Sequence, residues 1–204
     1  MRASPLLRRS RRREARLLVA LALFVAATLA LLVWRTSSPD PAEARVARVV
    51  DGDTLLLEDG RRVRLLGVDT PETKHPERPP EPWGREATAF TEKAVAGRRI
   101  VLEFGDEPTD RYGRVLAWVR YAAPTQQPAA ANPGDRDVAR DPARLADRFP
   151  RLLNRDLVAA GLSPAVLLSP LRADYRWQLI QAEREAREAR RALWSDQPPP
   201  EPSP

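Results

Sequence analysis

The chain has 204 residues, with 34 Lys and Arg against 28 Asp and Glu for a formal net charge of +6, and it contains no cysteine. That length admits one domain of ordinary size with additions, and the missing cysteines exclude disulfides and thiolate metal sites. The positive charge is concentrated: residues 1–36 hold eight Arg and one Glu, which leaves 26 basic and 27 acidic side chains in the remainder. A nucleic-acid site in that remainder therefore has to be a local cluster rather than a global field.

The chain opens with a basic arm, residues 1–16, carrying Arg2, Arg8, Arg9, Arg11, Arg12, Arg13 and Arg16. Residues 17–34, LLVALALFVAATLALLVW, are uncharged. As a helix they span about 27 Å, close to the ~30 Å hydrocarbon core of a bilayer. With seven Arg before the run and only Arg35 close behind it, the N-terminus is expected in the cytoplasm and the remainder outside. The expectation is a single-pass signal anchor in a bacterial cell membrane with an extracytoplasmic domain. The alternative is a secreted product after cleavage near Thr36, Ser37 and Ser38, although no A-x-A site ends the apolar run.

Residues 35–43 read as a Pro-containing linker. Strand patterns follow at 45–50, 54–58, 61–68, 99–104 and 115–121. A helix is expected over 85–96, stopped by Gly97. Residues 122–150, rich in Pro, Ala and Asp, read as an insertion after the fifth strand, with one helical turn around 143–147. A helix over 151–160 ends at Gly161. A charged helix over 172–194 carries the apolar stripe Tyr175, Leu179, Ala182 and Ala186 at spacings of four, three and four. The Pro-rich tail, 196–204, reads as disordered, which leaves 44–195 as the folded domain.

The hairpin around Asp59-Gly60 has two possible registers. A two-residue loop sets Leu55 opposite Arg64 and Leu57 opposite Arg62, mixing charge with core. A three-residue loop, with Gly60 left-handed, pairs Leu57 with Arg61 and Leu55 with Val63. Pattern decides register, and it favours the second. Asp53, Leu55, Leu57, Val63, Leu65, Gly67 and Asp69 then share one face, with both aspartates at its open end and Arg64 on the opposite face. Two carboxylates meeting there repel unless a cation lies between them. With no His or Cys beside them, the cation expected is Ca²⁺ or Mg²⁺, and Gly67 is expected to leave room beside it. Removing either acid is expected to relieve repulsion. His75, the only histidine, lies in the charged, Pro-rich TKHPERPPEP stretch and reads as a solvated loop residue.

The motifs DGDT, RLLGVDTPETKHP, WGREATAFT and TDRYGRVLAW occur in this order. Together they resemble the thermonuclease family, the staphylococcal-nuclease-like domain, over about residues 44–195. The resemblance implies an α+β fold: a five-stranded OB-type β-barrel with about three α-helices, here preceded by one transmembrane helix. It implies a monomeric, Ca²⁺-dependent endonuclease that hydrolyses DNA and RNA to 3′-phosphorylated products. On matching positions it implies Asp53 and Asp69 as metal ligands, with the backbone carbonyl of Thr70. Glu72 resembles the acid that activates or orients water. Arg64 and Arg114 resemble the arginines that hold the scissile phosphate. Asp51 resembles an outer acid, and Arg111 and Tyr112 match positions beside the nucleotide. The stretch LSPAVLLSPLRADY lacks the closely spaced tyrosines that some members place against the base. A non-catalytic OB-type module that binds nucleic acid or protein is the alternative; the complete set of acids and arginines favours activity.

Overall fold

The computed structural model describes residues 41–73, 79–123, 142–167 and 171–199. Five strands close on themselves: β1 (Ala42–Asp51), β2 (Thr54–Leu57), β3 (Arg62–Leu65), β4 (Arg99–Thr109) and β5 (Val115–Tyr121). Neighbours run in the order β3-β2-β1-β4-β5, and β3 also pairs with β5, in parallel, which seals the ring. A two-residue strand, β6 (Arg151–Leu152), pairs with the far end of β5, on the edge away from β4. The long first strand serves two partners. Its first half pairs with β4 and its second with β2, and register shifts at Val46/Arg48 and Val49/Asp51 mark its bend.

The hairpin takes the three-residue loop. Leu55 pairs with Val63, the Leu57 N–H donates to the Arg61 carbonyl at 2.9 Å, and Gly60 has φ +86°. Leu55, Leu57, Val63 and Leu65 enter the core with Ile100, Leu102 and Trp118. Each such burial is worth roughly 1.5–3 kcal/mol.

Three helices pack on the barrel: α1 (Gly84–Val95), α3 (Leu153–Ala159) and α4 (Ala173–Glu188). In α4 the expected stripe, Tyr175, Leu179, Ala182 and Ala186, is the buried face. The returning end of the insertion forms another helix, α2 (Pro142–Arg148), and its Leu145, with Phe149, joins Val101 and Ala122 in a small separate cluster.

Several boundaries differ from the sequence pattern, among them the start of the helix expected over 151–160, whose first two residues form β6 instead. Residues 42 and 43 belong to β1 rather than to the linker, because β4 offers them a ladder. β3 ends at Leu65, three residues early. There the Leu66 carbonyl turns to accept from Asn154 Nδ2 at 2.7 Å, and Gly67 takes φ +72°. β4 runs on to Thr109 because Thr109 pairs with Val115. Helix α4 ends at Glu188, since Arg190 and Ala192 are left-handed and the Leu193 N–H is drawn to the Gly161 carbonyl at 3.0 Å. A 3₁₀ turn, Ala192–Trp194, follows. Residues 17–34, His75, most of the insertion and the end of the tail lie outside the described residues. Among the described residues no helix is long and apolar enough to cross a membrane.

Candidate active site

The site is assembled where β1 reverses into β2. Asp51-Gly52-Asp53 makes that reversal, and α1 braces it through the Thr91 hydroxyl, which donates to the Gly52 carbonyl at 2.6 Å. Asp53 is only 4 % exposed. A buried carboxylate needs partners, and the fold provides them. The Thr54 hydroxyl donates to its Oδ1 at 3.1 Å, the Thr70 N–H donates to its Oδ2 at 2.8 Å, and Arg64 pairs with Oδ1. Asp51 Oδ1 accepts from the Asp53 N–H at 3.3 Å.

Arg64 is the centre of the cluster. One guanidinium nitrogen pairs with Asp53 and the other with Asp69 Oδ1 at 2.6 Å. Arg64 keeps its place on the outer face of β3, and it is the placement of Asp53 and Asp69 on the core face, away from it, that is corrected. Alternation holds only within a strand, and both aspartates lie outside one. Asp53 belongs to the reversal before β2, and Asp69 follows the left-handed turn at Gly67. The two acids are therefore not equivalent: the Asp69 side chain is 68 % exposed, and its N–H donates to the buried Ser163 hydroxyl at 2.9 Å. Gly67 does not leave space beside the site. A Cβ there would lie 2.5 Å from Leu179 Cδ1 and 3.0 Å from Trp118, so its bareness serves core packing.

A second group sits at the β4–β5 turn. Asp110 Oδ1 accepts from the Tyr112 N–H at 2.9 Å and the Arg114 N–H at 3.0 Å, while Oδ2 accepts from Arg114 Nε at 2.7 Å. Burial pushes the Asp110 carboxyl up, but those N–H groups and the guanidinium outweigh it and hold it below the usual carboxylate range. Tyr112 is 67 % exposed, with the Arg111 and Arg114 guanidiniums 4.8 and 5.5 Å from its ring centre. The parallel β3–β5 ladder couples the two groups: Arg64 pairs with Leu116, two residues beyond Arg114. Glu72 is exposed in the loop before α1. Its N–H donates to the Glu81 carboxylate at 3.0 Å, and its carbonyl accepts from the Glu81 N–H at 2.9 Å.

Four polar residues at the site have no place in the sequence reading: Thr54, Glu81, Asp110 and Ser163. Asp110 was visible in TDRYGR as a residue that caps a turn with its own carboxylate. Ser163 lies 94 positions from Asp69, and no local pattern joins them.

Among the described residues no group of three His, Cys, Asp or Glu side chains gathers as a metal cage. Two carboxylates converge on one positive group, however, and all the ligand atoms are hard oxygens. That donor set suits a cation that fills its shell with water and backbone carbonyls, such as Ca²⁺. The Asp53 and Asp69 carboxylates are donors of the kind such an ion takes, and they would hold it with the Thr70 carbonyl that the resemblance implies.

A closed barrel with two acids and an arginine beside one hairpin, and a second arginine at the β4–β5 turn, defines an OB-type barrel with a charged rim site. Residues 62–196 match the family model described as Staphylococcal nuclease homologue. The chain is 36 % identical over 152 residues to the Thermonuclease of Staphylococcus intermedius, covering 73 % of this chain and 74 % of that protein. It is 31 % identical to the Thermonuclease of Staphylococcus hyicus over 157 residues, covering 74 % and 75 %. It is 30 % identical to an uncharacterized endonuclease of Escherichia coli over 179 residues, covering 86 % and 92 %. The chain belongs to the staphylococcal nuclease homologue family and is an enzyme of the nuclease class.

Proposed function

We propose that the protein is a Ca²⁺-dependent phosphodiesterase that hydrolyses DNA and RNA to 3′-phosphorylated products, held outside a bacterial cell membrane by residues 17–34. The observation that carries this reading is the Arg64 guanidinium set between Asp53 and Asp69. Its planar fork matches two phosphoryl oxygens and keeps its charge at any working pH. Arg114, aimed by Asp110, is the second such fork. Hydrolysis builds negative charge on the phosphoryl oxygens and on the departing 5′ oxygen, and two fixed guanidiniums lower the cost of that charge. Glu72 takes a proton from the attacking water as the new P–O bond forms and the P–O5′ bond breaks. The 5′ oxygen leaves with a proton from solvent, and the phosphate stays on the 3′ side. Bound Ca²⁺ supplies Lewis-acid neutralisation of phosphoryl charge. Tyr112 offers an exposed ring, and Arg111 a cation, beside the nucleotide.

The membrane reading is supported by the uncharged run at 17–34 and the seven arginines before it. A monomer is supported by a barrel completed within one chain. The test is plasmid nicking by the full-length chain in mild detergent, with Ca²⁺ and with chelator. Nicking only with Ca²⁺, leaving ends that a polymerase extends only after phosphatase treatment, is the expected result. DNA binding without cleavage in Ca²⁺ would put the non-catalytic binding module in its place.

A further inference from the structure

One face of the barrel carries charge that the rim site does not use. The strand register sets Arg48 of β1 opposite Leu56 of β2, and Leu56 opposite Arg62 of β3. Alternation places these three on the outer surface, because Val49, Leu55, Leu57 and Val63 point into the core. Arg48 and Arg62 are exposed, and Leu56 is half-buried. The acids at the hairpin tip are already engaged, Glu58 by Arg45 and Asp59 by Arg61. Neither Arg48 nor Arg62 forms an ion pair or side-chain hydrogen bond with a described residue.

The row leads to the rim. Arg62 precedes Arg64 by two residues on the same strand face. Val63 pairs with Val115 in the parallel β3–β5 ladder, so the same register brings Arg62 level with Arg114, just before β5. Strands lie about 4.8 Å apart, so Arg114, Arg62, Leu56 and Arg48 cover about 14 Å across four strands. A cationic row with an apolar residue in its middle fits a polymer whose phosphates alternate with sugars and bases. It also lies on a closed, curved barrel. Duplex DNA, with a persistence length of about 50 nm, bends over such a surface only at a cost; a single strand follows it freely.

We propose that this row is a binding track for single-stranded polynucleotide: the strand leaves the reacting phosphate at Arg64 and Arg114 and lays its next phosphates on Arg62 and Arg48, with a sugar or base over Leu56. The track rests on the nuclease reading for its substrate. Outside the N-terminal arm the charge is balanced, so a local, uncompensated cluster is the kind of feature that a phosphate polymer requires here.

The test is fluorescence anisotropy of a labelled single strand of about 20 nucleotides, with full-length protein in neutral detergent and chelator, at salt concentrations from about 50 to 200 mM. Two phosphate contacts account for a slope of about 1.4 in log affinity against log salt, so Arg48→Gln with Arg62→Gln should flatten the dependence by that much. Arg48→Lys with Arg62→Lys should restore it, because charge rather than a planar fork is needed. Arg176→Gln with Arg184→Gln removes the same charge from α4 and should leave the slope alone. The basic arm contributes equally in every variant and cancels. An unchanged slope in the Arg48/Arg62 pair, or an equal fall in the α4 pair, overturns the track. Loss of binding to phosphatidylserine vesicles with the polynucleotide slope intact would assign the row to lipid, and also overturns it. Hydrolysis of a dinucleotide, too short to reach Arg48, separates the two readings. If the parent cuts it while the slopes are unchanged, the nuclease stands and the track falls. If the parent cuts neither substrate while the slope flattens as expected, the track stands and the nuclease falls.

Discussion

Asp53 holds its charge almost wholly out of water, compensated by the Thr54 hydroxyl, the Thr70 N–H and Arg64. Removing it strands a guanidinium and a backbone donor, so Asp53→Ala should cost about 3 kcal/mol without metal. Asp69 is largely solvated, and Asp69→Ala should cost no more than about 1 kcal/mol. Urea unfolding in chelator checks both, and equal small losses would contradict the placement of Arg64. The repulsion argument, which expects relief from either deletion, is thus reversed for Asp53, because a cation already lies between the acids. Asp110 gives a second test. Its depressed pKa means that its contribution is present above the ordinary value near 3.9 and is lost as pH falls through the lower folded value. The Arg114 tether should therefore persist through mildly acid conditions. Asp110→Asn should lower kcat/KM by about tenfold at every pH above 5, comparable to loss of other supporting contacts. A pH–rate profile that differs only in its acid limb would contradict this.

The hairpin was legible because period-two burial and a left-handed glycine point to one register. Gly60 has open space around it, so Gly60→Ala pays only the left-handed conformation, about 1 kcal/mol. Gly67→Ala adds a clash with Leu179 and Trp118 and should cost about 3 kcal/mol. Denaturant midpoints separate the two, and equal costs would show that Gly67 does not face the core. The ends of β3 and α4 were not legible, because Asn154 and the Gly161 carbonyl, distant in sequence, set them. The polar contact of β4 and β5 with the start of α4 was also hidden. There the Tyr175 hydroxyl donates to Glu103 Oε2 at 2.6 Å and accepts from Arg120 at 3.0 Å, while Arg172 donates to the same carboxylate at 2.8 Å. Burial, then the bond to Glu103 and its charge, push the Tyr175 phenol up, with Arg120 opposing in part. The unfolded chain ionises first as pH rises past about 10, so the raised phenol contributes stability below that value and loses it above. Tyr175→Phe should flatten the alkaline fall in urea midpoint; an unchanged fall would assign it to other groups.

At the scale of the molecule, the sequence order of strands carried the barrel, but not its closure. The parallel β3–β5 seam joins segments some fifty positions apart, and no local period announces it. The seam couples the Arg64 strand to the Arg114 turn, and Ser163 reaches Asp69 only because the chain folds back. The motifs therefore put forward the candidate site residues, while curvature and tertiary contacts set what each one touches. The central claim is that the guanidinium between Asp53 and Asp69 turns towards a phosphate and stabilises the charge that hydrolysis creates. Single-turnover cleavage of single-stranded DNA in Ca²⁺, parent against Arg64→Lys, tests this most directly. Lys keeps the charge and loses the fork, so the rate should fall on the order of 10²–10³-fold. Cleavage by Arg64→Lys at the parental rate would contradict the claim.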